Sequence, residues 1–424
     1  MTIINGGYKE YKLDNGLVVA LQNTPTQTIA AKLRVNFGSS HEKEGEEGMA
    51  HFLEHCLVTG GSSKFDPIQA DEVRGTFGYS NAYTNIGRTF FIGEMLSEDL
   101  ERWLDYTSEH VLRPRFDSDR IDGERERVLR EISDAKSNHM HPVSIEYNNV
   151  FYRGHPKGRF ILGKEEVVKT ADKEKLSRFH SRGYNPNNMD LIVVGGLSAN
   201  IKELVQNYFG RDSVGENTRK DFPYLQPLHE RVILVRPAPE RLNVDNPEES
   251  SAQIFLSYLG PISGHEEDYA VRTMNQILGG DTNSLLFQNI GLKKGLAYCA
   301  QTSTHGGYNA CELGINATVP AKRIDEAIGA IFEEIKRMKT ERVNDKAVGR
   351  IRRMAKYKLA KAFESNEGHI SAIEGKLDEG ITPESFIKGY DRVTPEKVIE
   401  VANKYLPDRE KGKYILYIRD PLKQ

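Results

Sequence analysis

The sequence has little of what marks secreted, membrane-spanning or nucleic-acid-binding proteins. It contains three cysteines in 424 residues, too few for a disulfide framework, and Cys56, Cys299 and Cys311 lack the spacing of a metal cluster. No apolar run approaches the roughly 18 residues that cross a bilayer. The N-terminus shows no basic stretch followed by an apolar core, so no secretory signal is expected. The net charge of -3 gives no reason to expect nucleic acid. We therefore predict a cytoplasmic protein without a membrane or nucleic-acid partner.

An internal repeat predicts two related domains. The segment GSSHEKEGEEGMAHFLEH resembles the later segment GPISGHEEDYAVRTMNQILGG, and His41 and His265 lie 265 − 41 = 224 residues apart. Thr170 and Thr394 each precede a predicted helix and strand, and their separation is again 394 − 170 = 224. Two anchors with one offset predict a duplicated domain.

A polar, proline-containing stretch at 212–230 predicts the boundary between the halves. The predicted domains are therefore 1–215, which would bind a metal and catalyse, and 230–424, which would be homologous but lack metal ligands. Each half alternates strand-like runs with helices, and short turns join several of its strands. This pattern predicts an α+β fold in which helices pack on one face of a mostly antiparallel sheet.

The segment GMAHFLEHCL carries the most informative motif. On a helix, His51 and His55 lie one turn apart, so both imidazoles can bind one metal ion. Glu54 lies at the edge of the same face, where it can reach a water molecule without being a ligand. The alternative is a pair of helical histidines that are satisfied by ordinary hydrogen bonds.

A catalytic zinc needs a third protein ligand, and the segment DGERERVLREISDAK offers the best candidate, Glu131. Glu124 and Glu131 are two helical turns apart and share one stripe. Val128 and Ile132 indicate that much of this helix is packed, so an acidic stripe at the edge of the packed face suggests a cation. The alternative is that both carboxylates pair with neighbouring arginines at the surface.

The repeat provides an internal control. Adding 224 to the four motif positions gives Asn275, Leu278, Gly279 and Ala355. None of these is a zinc ligand or a base, so the duplicated architecture does not itself require the motif. Chemistry explains the motif in the first half more easily than folding does.

These features resemble the inverted-motif zinc peptidases, a family that includes pitrilysin, insulin-degrading enzyme and mitochondrial processing peptidase. The likeness is greatest to short prokaryotic members of the processing-peptidase branch. The separation between HFLEH and the acidic helix, 131 − 55 = 76, fits the family. Further segments that resemble family landmarks are SNAYTNIGRTFF, HPKGRFILG, GYNPNNMDLIVVGGL and NSLLFQNIGLKKGLAYCA.

The resemblance implies one zinc per chain, held by His51, His55 and Glu131. It implies Glu54 as the general base and Glu124 as a carboxylate beside the site. The implied activity is that of a metalloendopeptidase.

The resemblance also implies that a peptide substrate binds extended, as a strand added to a sheet edge. By position, Asn81, Ala82, Tyr83 and Thr84 would lie on or beside that edge. The alternative for SNAYT is an ordinary strand start.

In this branch the second domain often contributes an arginine and a tyrosine that contact substrate near the zinc. Tyr298 matches the tyrosine, but Gly291 stands at the arginine position, and Lys293 and Lys294 are out of register. Some family members divide the work between two subunits. We therefore expect a heterodimer with a related chain that carries the arginine and tyrosine, or otherwise a homodimer. The competing hypotheses are a non-catalytic structural or assembly subunit of the same fold and a non-proteolytic zinc hydrolase.

Overall fold

The computed structural model describes residues 7–215, 217–219 and 221–423. No helix among these residues is both long enough and apolar enough to cross a membrane. The strands, in chain order, are β1 (Tyr8–Lys12), β2 (Val18–Asn23), β3 (Thr28–Val35), β4 (Tyr79–Thr84), β5 (Thr89–Leu96), β6 (Met189–Gly195), β7 (Val232–Pro237), β8 (Ser251–Leu259), β9 (Cys299–His305), β10 (Glu312–Pro320) and β11 (Ile415–Asp420).

The α-helices follow the same numbering. They are α1 (Met49–Thr59), α2 (Pro67–Arg74), α3 (Leu100–Leu112), α4 (Ser118–Ser137), α5 (His141–Phe151), α6 (Glu165–Thr170), α7 (Lys173–Gly183), α8 (Ile201–Phe209), α9 (Asp268–Gly279), α10 (Ile324–Thr340), α11 (Asp345–Ala362), α12 (Asn366–Glu379), α13 (Pro383–Asp391) and α14 (Pro395–Tyr405). A π-helical segment, Leu286–Lys293, precedes β9.

The chain forms two compact units. The first contains the described residues up to Asp221 together with Lys361–Asp378, and the second contains Phe222–Ala360 with the described residues from Glu379 onward. The domain limits 1–215 and 230–424 stay a prediction of where the duplicated halves begin and end. No sequence pattern indicated that α12, which follows α11 in the second half of the chain, is part of the first unit.

The sheets of the two units share one pattern of strand pairing. The first sheet has the order β1-β2-β6-β3-β5-β4, and the second has the order β7-β11-β8-β10-β9. In each sheet one pair is parallel, β2 with β6 and β7 with β11, and the other neighbours are antiparallel. The predicted α+β class, with two related and mostly antiparallel sheets, is confirmed. In the first sheet β4 is an edge strand.

The central strands of the first sheet are buried on both faces. In β6, Leu191 and Val193 pack into the main helical core, whereas the alternating residues Ile192 and Val194 face the other way. The second face is covered by α12, through residues such as Ile370. The prediction of helices on one face of the sheet therefore misses this helix.

Buried charges hold α12 on the sheet. The Arg34 guanidinium is 1% exposed, and its Nη2 lies 2.8 Å from Asp190 Oδ2 and 2.9 Å from Asp378 Oδ1. Arg88 also contacts Asp378, at 2.7 Å. Because an unpaired buried charge is costly, the strand residue Arg34 and the α12 residue Asp378 depend on each other.

One of the two repeat anchors was wrong. Thr170 is the last residue of α6, and the N-cap of α7 is Asp172, whose side chain accepts a hydrogen bond from the Lys175 backbone N–H at 2.8 Å. Thr394 does cap α14. The offset between these two caps is therefore 394 − 172 = 222. Aspartate and threonine are both preferred N-cap residues, so the presence of a capping residue type at Thr170 did not identify the start of the helix.

Candidate metal centre

The predicted motif lines a cleft of about 960 Å³ in the first unit. Helix α1 and the edge strand β4 form one side of the cleft, and α4, α5 and the segment 158–162 complete its wall. All of these elements belong to the first unit.

Helix α1 is fixed at its N-terminal end by a buried carboxylate. Gly48, with φ 101°, precedes the helix, a backbone conformation that glycine tolerates. Glu42 Oε1 accepts hydrogen bonds from the backbone N–H groups of Gly48 (3.0 Å) and Ala50 (2.9 Å). It thereby satisfies donors that have no partner within the helix. Burial raises the pKa of Glu42 to about 8. Phe52 and Leu53 are fully buried and anchor the opposite face of the helix.

Helix α4 brings the third side chain to the cleft. Val128 and Ile132 are fully buried in the core. Glu131 is next to Ile132 but stands on the cleft side, with 39% of its side chain exposed. The packed face of α4 therefore fixes the height and direction at which Glu131 meets α1.

Three potential ligand atoms converge. Nε2 of His51 lies 3.3 Å from Nε2 of His55. Oε2 of Glu131 lies 3.6 Å from the first of these nitrogens and 3.7 Å from the second. Among the described residues, this is the one group of three or more histidine, cysteine or acidic side chains arranged to hold a metal ion.

These separations fit zinc. Tetrahedral ligands with zinc–ligand bonds of about 2.0–2.1 Å are separated by about 3.3 Å. Burial, together with the charge of His55, lowers the pKa of His51 to about 3, so His51 is the neutral imidazole that binds metals. The donor set of two imidazoles and one carboxylate leaves room for a fourth ligand, as catalytic zinc sites require.

Glu124 supports His55. Glu124 Oε2 lies 2.9 Å from His55 Nδ1, so the proton belongs on Nδ1 and the lone pair of Nε2 points toward His51 and Glu131. Burial alone would raise the pKa of Glu124, but the hydrogen bond from His55 and the charge of Arg127 outweigh it, and the pKa is lowered. The arginine pairing considered for both carboxylates occurs at Glu124, whose Oε1 lies 3.3 Å from Arg127.

Glu54 lies beside the three ligand atoms and is held by β4. Its Oε2 accepts a hydrogen bond from the Thr84 hydroxyl at 3.0 Å. Burial raises the pKa of Glu54 to about 7, while the charge of His55 and the hydrogen bonds from Thr84 act in the opposite direction. The sequence placed Thr84 only on a substrate-binding edge, so this contact is new. The sequence contains no pattern that predicts the contact between Thr84 and Glu54, because the two residues lie on different elements and β4 begins 20 residues after α1 ends (79 − 59 = 20).

The predicted substrate-binding residues lie on β4. Asn81, Ala82, Tyr83 and Thr84 all line the cleft. Tyr83 stacks on Phe90 of β5, with ring centroids 4.4 Å apart. Since β4 pairs with β5 on one side and is the last strand of the described sheet, its other edge faces the cleft.

Tyr298 and Gly291 belong to the second unit. Tyr298 is 67% exposed and directly precedes β9. Gly291 lies in the π-helical segment, and an added Cβ there would meet only the Ala297 carbonyl oxygen, at 3.8 Å. Neither residue is part of the group formed by His51, His55 and Glu131.

The second unit has a corresponding cleft of about 390 Å³, and it corrects the internal alignment. Helix α9 lines it with Arg272, Asn275 and Gln276. These correspond to His51, Glu54 and His55 of α1 with an offset of 221 (272 − 51, 275 − 54, 276 − 55). The predicted counterparts Leu278 and Gly279 are instead buried.

The offset of 224 was therefore wrong by three within this helix. Ala355 of α11, the counterpart predicted for Glu131, also lines the second cleft. The corrected alignment again places no zinc ligand in the second copy.

Comparison with known proteins finds two family models that match the chain. Residues 17–165 match the model of the insulinase family (peptidase family M16), and residues 170–355 match that of the peptidase M16 inactive domain. An uncharacterized zinc protease of Rickettsia bellii is 27% identical over 404 residues, which cover 93% of each chain. The mitochondrial-processing peptidase subunit beta of Saccharomyces cerevisiae is 22% identical over 420 residues, which cover 95% of this chain and 89% of the yeast protein.

Solved structures share the fold. A protease from Helicobacter pylori superposes with a TM-score of 0.83 at 20% identity, covering 98% of this chain and 99% of the other. Together the two family models span most of the sequence. The chain belongs to the pitrilysin/insulinase family of peptidases, family M16.

Proposed function

We propose that this protein is a zinc-dependent endopeptidase that cleaves peptides or unfolded segments bound as an extended strand. The observation that carries the proposal is the convergence of His51, His55 and Glu131 within 4.8 Å, beside the buried carboxylate of Glu54. Two imidazole nitrogens and a carboxylate this close favour a shared cation. Zinc bound there would supply a Lewis acid that activates water and polarises the peptide carbonyl.

The protein's own groups account for the movement of protons. Glu54 is not one of the three proposed ligands, so its carboxylate is available to take a proton from the attacking water. The same carboxyl then gives the proton to the nitrogen of the departing amine. Thr84 holds Glu54 in place, with a hydrogen bond of 3.0 Å, and Glu124 holds His55.

Strand β4 is the proposed substrate platform. An extended peptide that pairs with the open edge of β4 would use backbone hydrogen bonds, and these give affinity with little demand on sequence. Thr84, at the end of this strand, contacts Glu54 directly. A peptide added to β4 would therefore bring a backbone carbonyl next to the metal group.

We also propose that the chain acts as the zinc-bearing subunit of a dimer. Gly291 offers no side chain where the family resemblance implies an arginine, while Tyr298 is present and exposed. A related subunit with both the arginine and the tyrosine would complete the site. A homodimer in which Lys293 or Lys294 substitutes is the alternative.

A non-catalytic assembly subunit is the second candidate. The inactive-domain match covers residues 170–355, whereas the metal group lies within 17–165, where the insulinase model matches. An assembly role would not require Glu54, its hydroxyl partner Thr84 and the three-ligand group to be maintained together.

Variants of the site separate metal binding from chemistry. We expect Glu54→Gln to keep one zinc per chain but to lose peptide hydrolysis by about a hundredfold or more. Glu131→Gln should lose both the zinc and the activity. Glu126→Gln is the matched control, because Glu126 lies on α4 with 77% of its side chain exposed. Metal analysis and cleavage of a quenched fluorescent peptide library measure both properties. Normal hydrolysis by Glu54→Gln would refute the mechanism.

A further inference from the structure

We infer that the cleft selects peptides with an acidic side chain about two residues from the scissile bond, and that Arg74 and Arg127 provide this selectivity. The inference rests on the proposed peptidase function and specifies its substrate class. It is carried by the two arginines that line the cleft and by the absence, among the described lining residues, of any carboxylate beyond Glu54 and Glu131.

Arg127 lies at the cleft with more than half of its side chain exposed. It lies on α4, one turn from both Glu124 and Glu131. Nη1 contacts Glu124 Oε1 at 3.3 Å, yet 56% of the Arg127 side chain is exposed. Glu124 also shares its charge with His55, through its other oxygen. Since a guanidinium has five N–H donors, Arg127 retains donors for a ligand carboxylate.

Arg74 approaches from α2. Its Nη1 donates to the Val58 carbonyl oxygen, in the last turn of α1, at 3.5 Å, and its Nη2 donates to Asp71 at 2.9 Å. Asp71 also contacts Arg120, at 3.4 Å, so these three side chains carry one net positive charge. Arg74 is 32% exposed at the side chain and lines the cleft.

The other charged groups of the cleft do not oppose these arginines. Outside the proposed metal group and Glu54, the basic and acidic side chains that line the described cleft are Arg74, Arg127, Arg159 and His141. Arg159 donates to the backbone carbonyls of Ser39 and Glu42 and so has a structural role. With no further carboxylate among the described lining residues, an acidic peptide gains attraction there and a basic peptide meets repulsion.

The spacing along α1 gives the subsite position. Thr84 meets α1 at Glu54, near the proposed scissile bond, whereas Arg74 meets it at Val58, four residues further along. Four helical residues span about 6 Å, which equals about two residues of extended peptide. The acidic side chain is therefore expected about two positions from the cleaved bond.

The test uses matched peptides in which one position is Asp, Asn or Lys, scanned along a common quenched fluorescent sequence. For the wild type we expect kcat/KM for the best Asp peptide to exceed that for its Asn partner by about tenfold, and salt should reduce this ratio. Arg127→Gln and Arg74→Gln should each lower the ratio about threefold or more. Arg130→Gln, on the same helix with 67% of its side chain exposed and outside the cleft, should leave the ratio unchanged.

Binding separates the selectivity from the chemistry. Fluorescence anisotropy of the same peptides with the Glu54→Gln protein gives Kd values that do not depend on turnover. A wild type without hydrolysis would overturn the proposed function, while an Asp preference in Kd that is lost in Arg127→Gln would still support the subsite. Equal Kd values for Asp and Asn peptides, or equal effects of Arg130→Gln and Arg127→Gln, would overturn the inference.

Discussion

The hydroxyl of Thr84 provides a sharp test of how Glu54 is positioned. Thr84→Val keeps the shape of the side chain and removes the donor that lies 3.0 Å from Glu54 Oε2. The Thr84 backbone also hydrogen-bonds to Glu54 and is unchanged in the variant. The carboxylate therefore loses one of its donors and becomes free to rotate away from the water that it must deprotonate.

The size of the effect follows from that single bond. A hydrogen bond to a charged, buried group contributes about 1.5–3 kcal/mol. With the backbone donor retained, we take the lower part of this range, about 1.5–2 kcal/mol, which is about a 10- to 30-fold loss in rate. The loss should appear in kcat rather than in KM, because the proposed pairing of the peptide uses the backbone of β4.

The assay compares kcat, KM and zinc content for the wild type, Thr84→Val and Thr84→Ser. Serine retains the hydroxyl and should restore most of the rate. Zinc content should stay the same in all three proteins, since neither Thr84 nor Glu54 is a proposed ligand. A folded Thr84→Val protein with kcat within about twofold of the wild type would refute the positioning role.

Two further predictions concern the second unit. If a missing arginine limits the lone chain, Gly291→Arg should raise its kcat/KM by about 30-fold or more. Gly291→Gln, equally free of steric conflict, should not raise it. Equal activities of these two variants would contradict the split site. Glu267 should stabilise the second unit in a pH-dependent way: burial alone would raise its pKa, but hydrogen bonds from Lys404 and Tyr405 outweigh it and hold the pKa at about 2. Its contribution to stability is therefore complete above the unfolded pKa of about 4.3 and is lost as the pH falls toward 2. The free energies of unfolding of the wild type and Glu267→Gln, measured with urea, should differ by about 1–2 kcal/mol at pH 7 and converge near pH 2. A difference that stays constant with pH would contradict this prediction.

Local periodicity explains why the ligands on α1 were predictable. His51 and His55 are four residues apart, and any regular helix places them on one face. The prediction of Glu131 as a ligand required more than helical periodicity, because the position of Glu131 depends on how α4 packs through Val128 and Ile132. The sequence of α4 indicated a packed helix with an acidic edge, and the family spacing then chose Glu131 over Glu124.

The three-residue error in the internal alignment has a physical cause. Three residues turn a helix by about 300°, so a slip of three rotates the apolar face by only about 60°. The apolar residues of α9 recur every three or four positions, so the sequence looks acceptable in either alignment. Burial distinguishes them: at an offset of 221 the buried Phe52 and Leu57 correspond to the buried Thr273 and Leu278, whereas at 224 they correspond to the partly exposed Gln276 and Asp281. Arg74, Arg127 and Thr84 were missed for a related reason: each acts through a contact between different elements.

The position of α12 in the chain has a consequence for synthesis on the ribosome. The first sheet is complete once residue 221 has been made, but the helix that covers its second face ends at Glu379, 379 − 221 = 158 residues later. At about 5–20 residues per second, roughly 8–30 s pass before that helix exists. During this interval Ala30, Ile192 and Val194 stay uncovered, and Arg34 lacks Asp378. The nascent chain therefore exposes an apolar surface for many seconds. Such a surface promotes aggregation, and chaperones protect chains in this state.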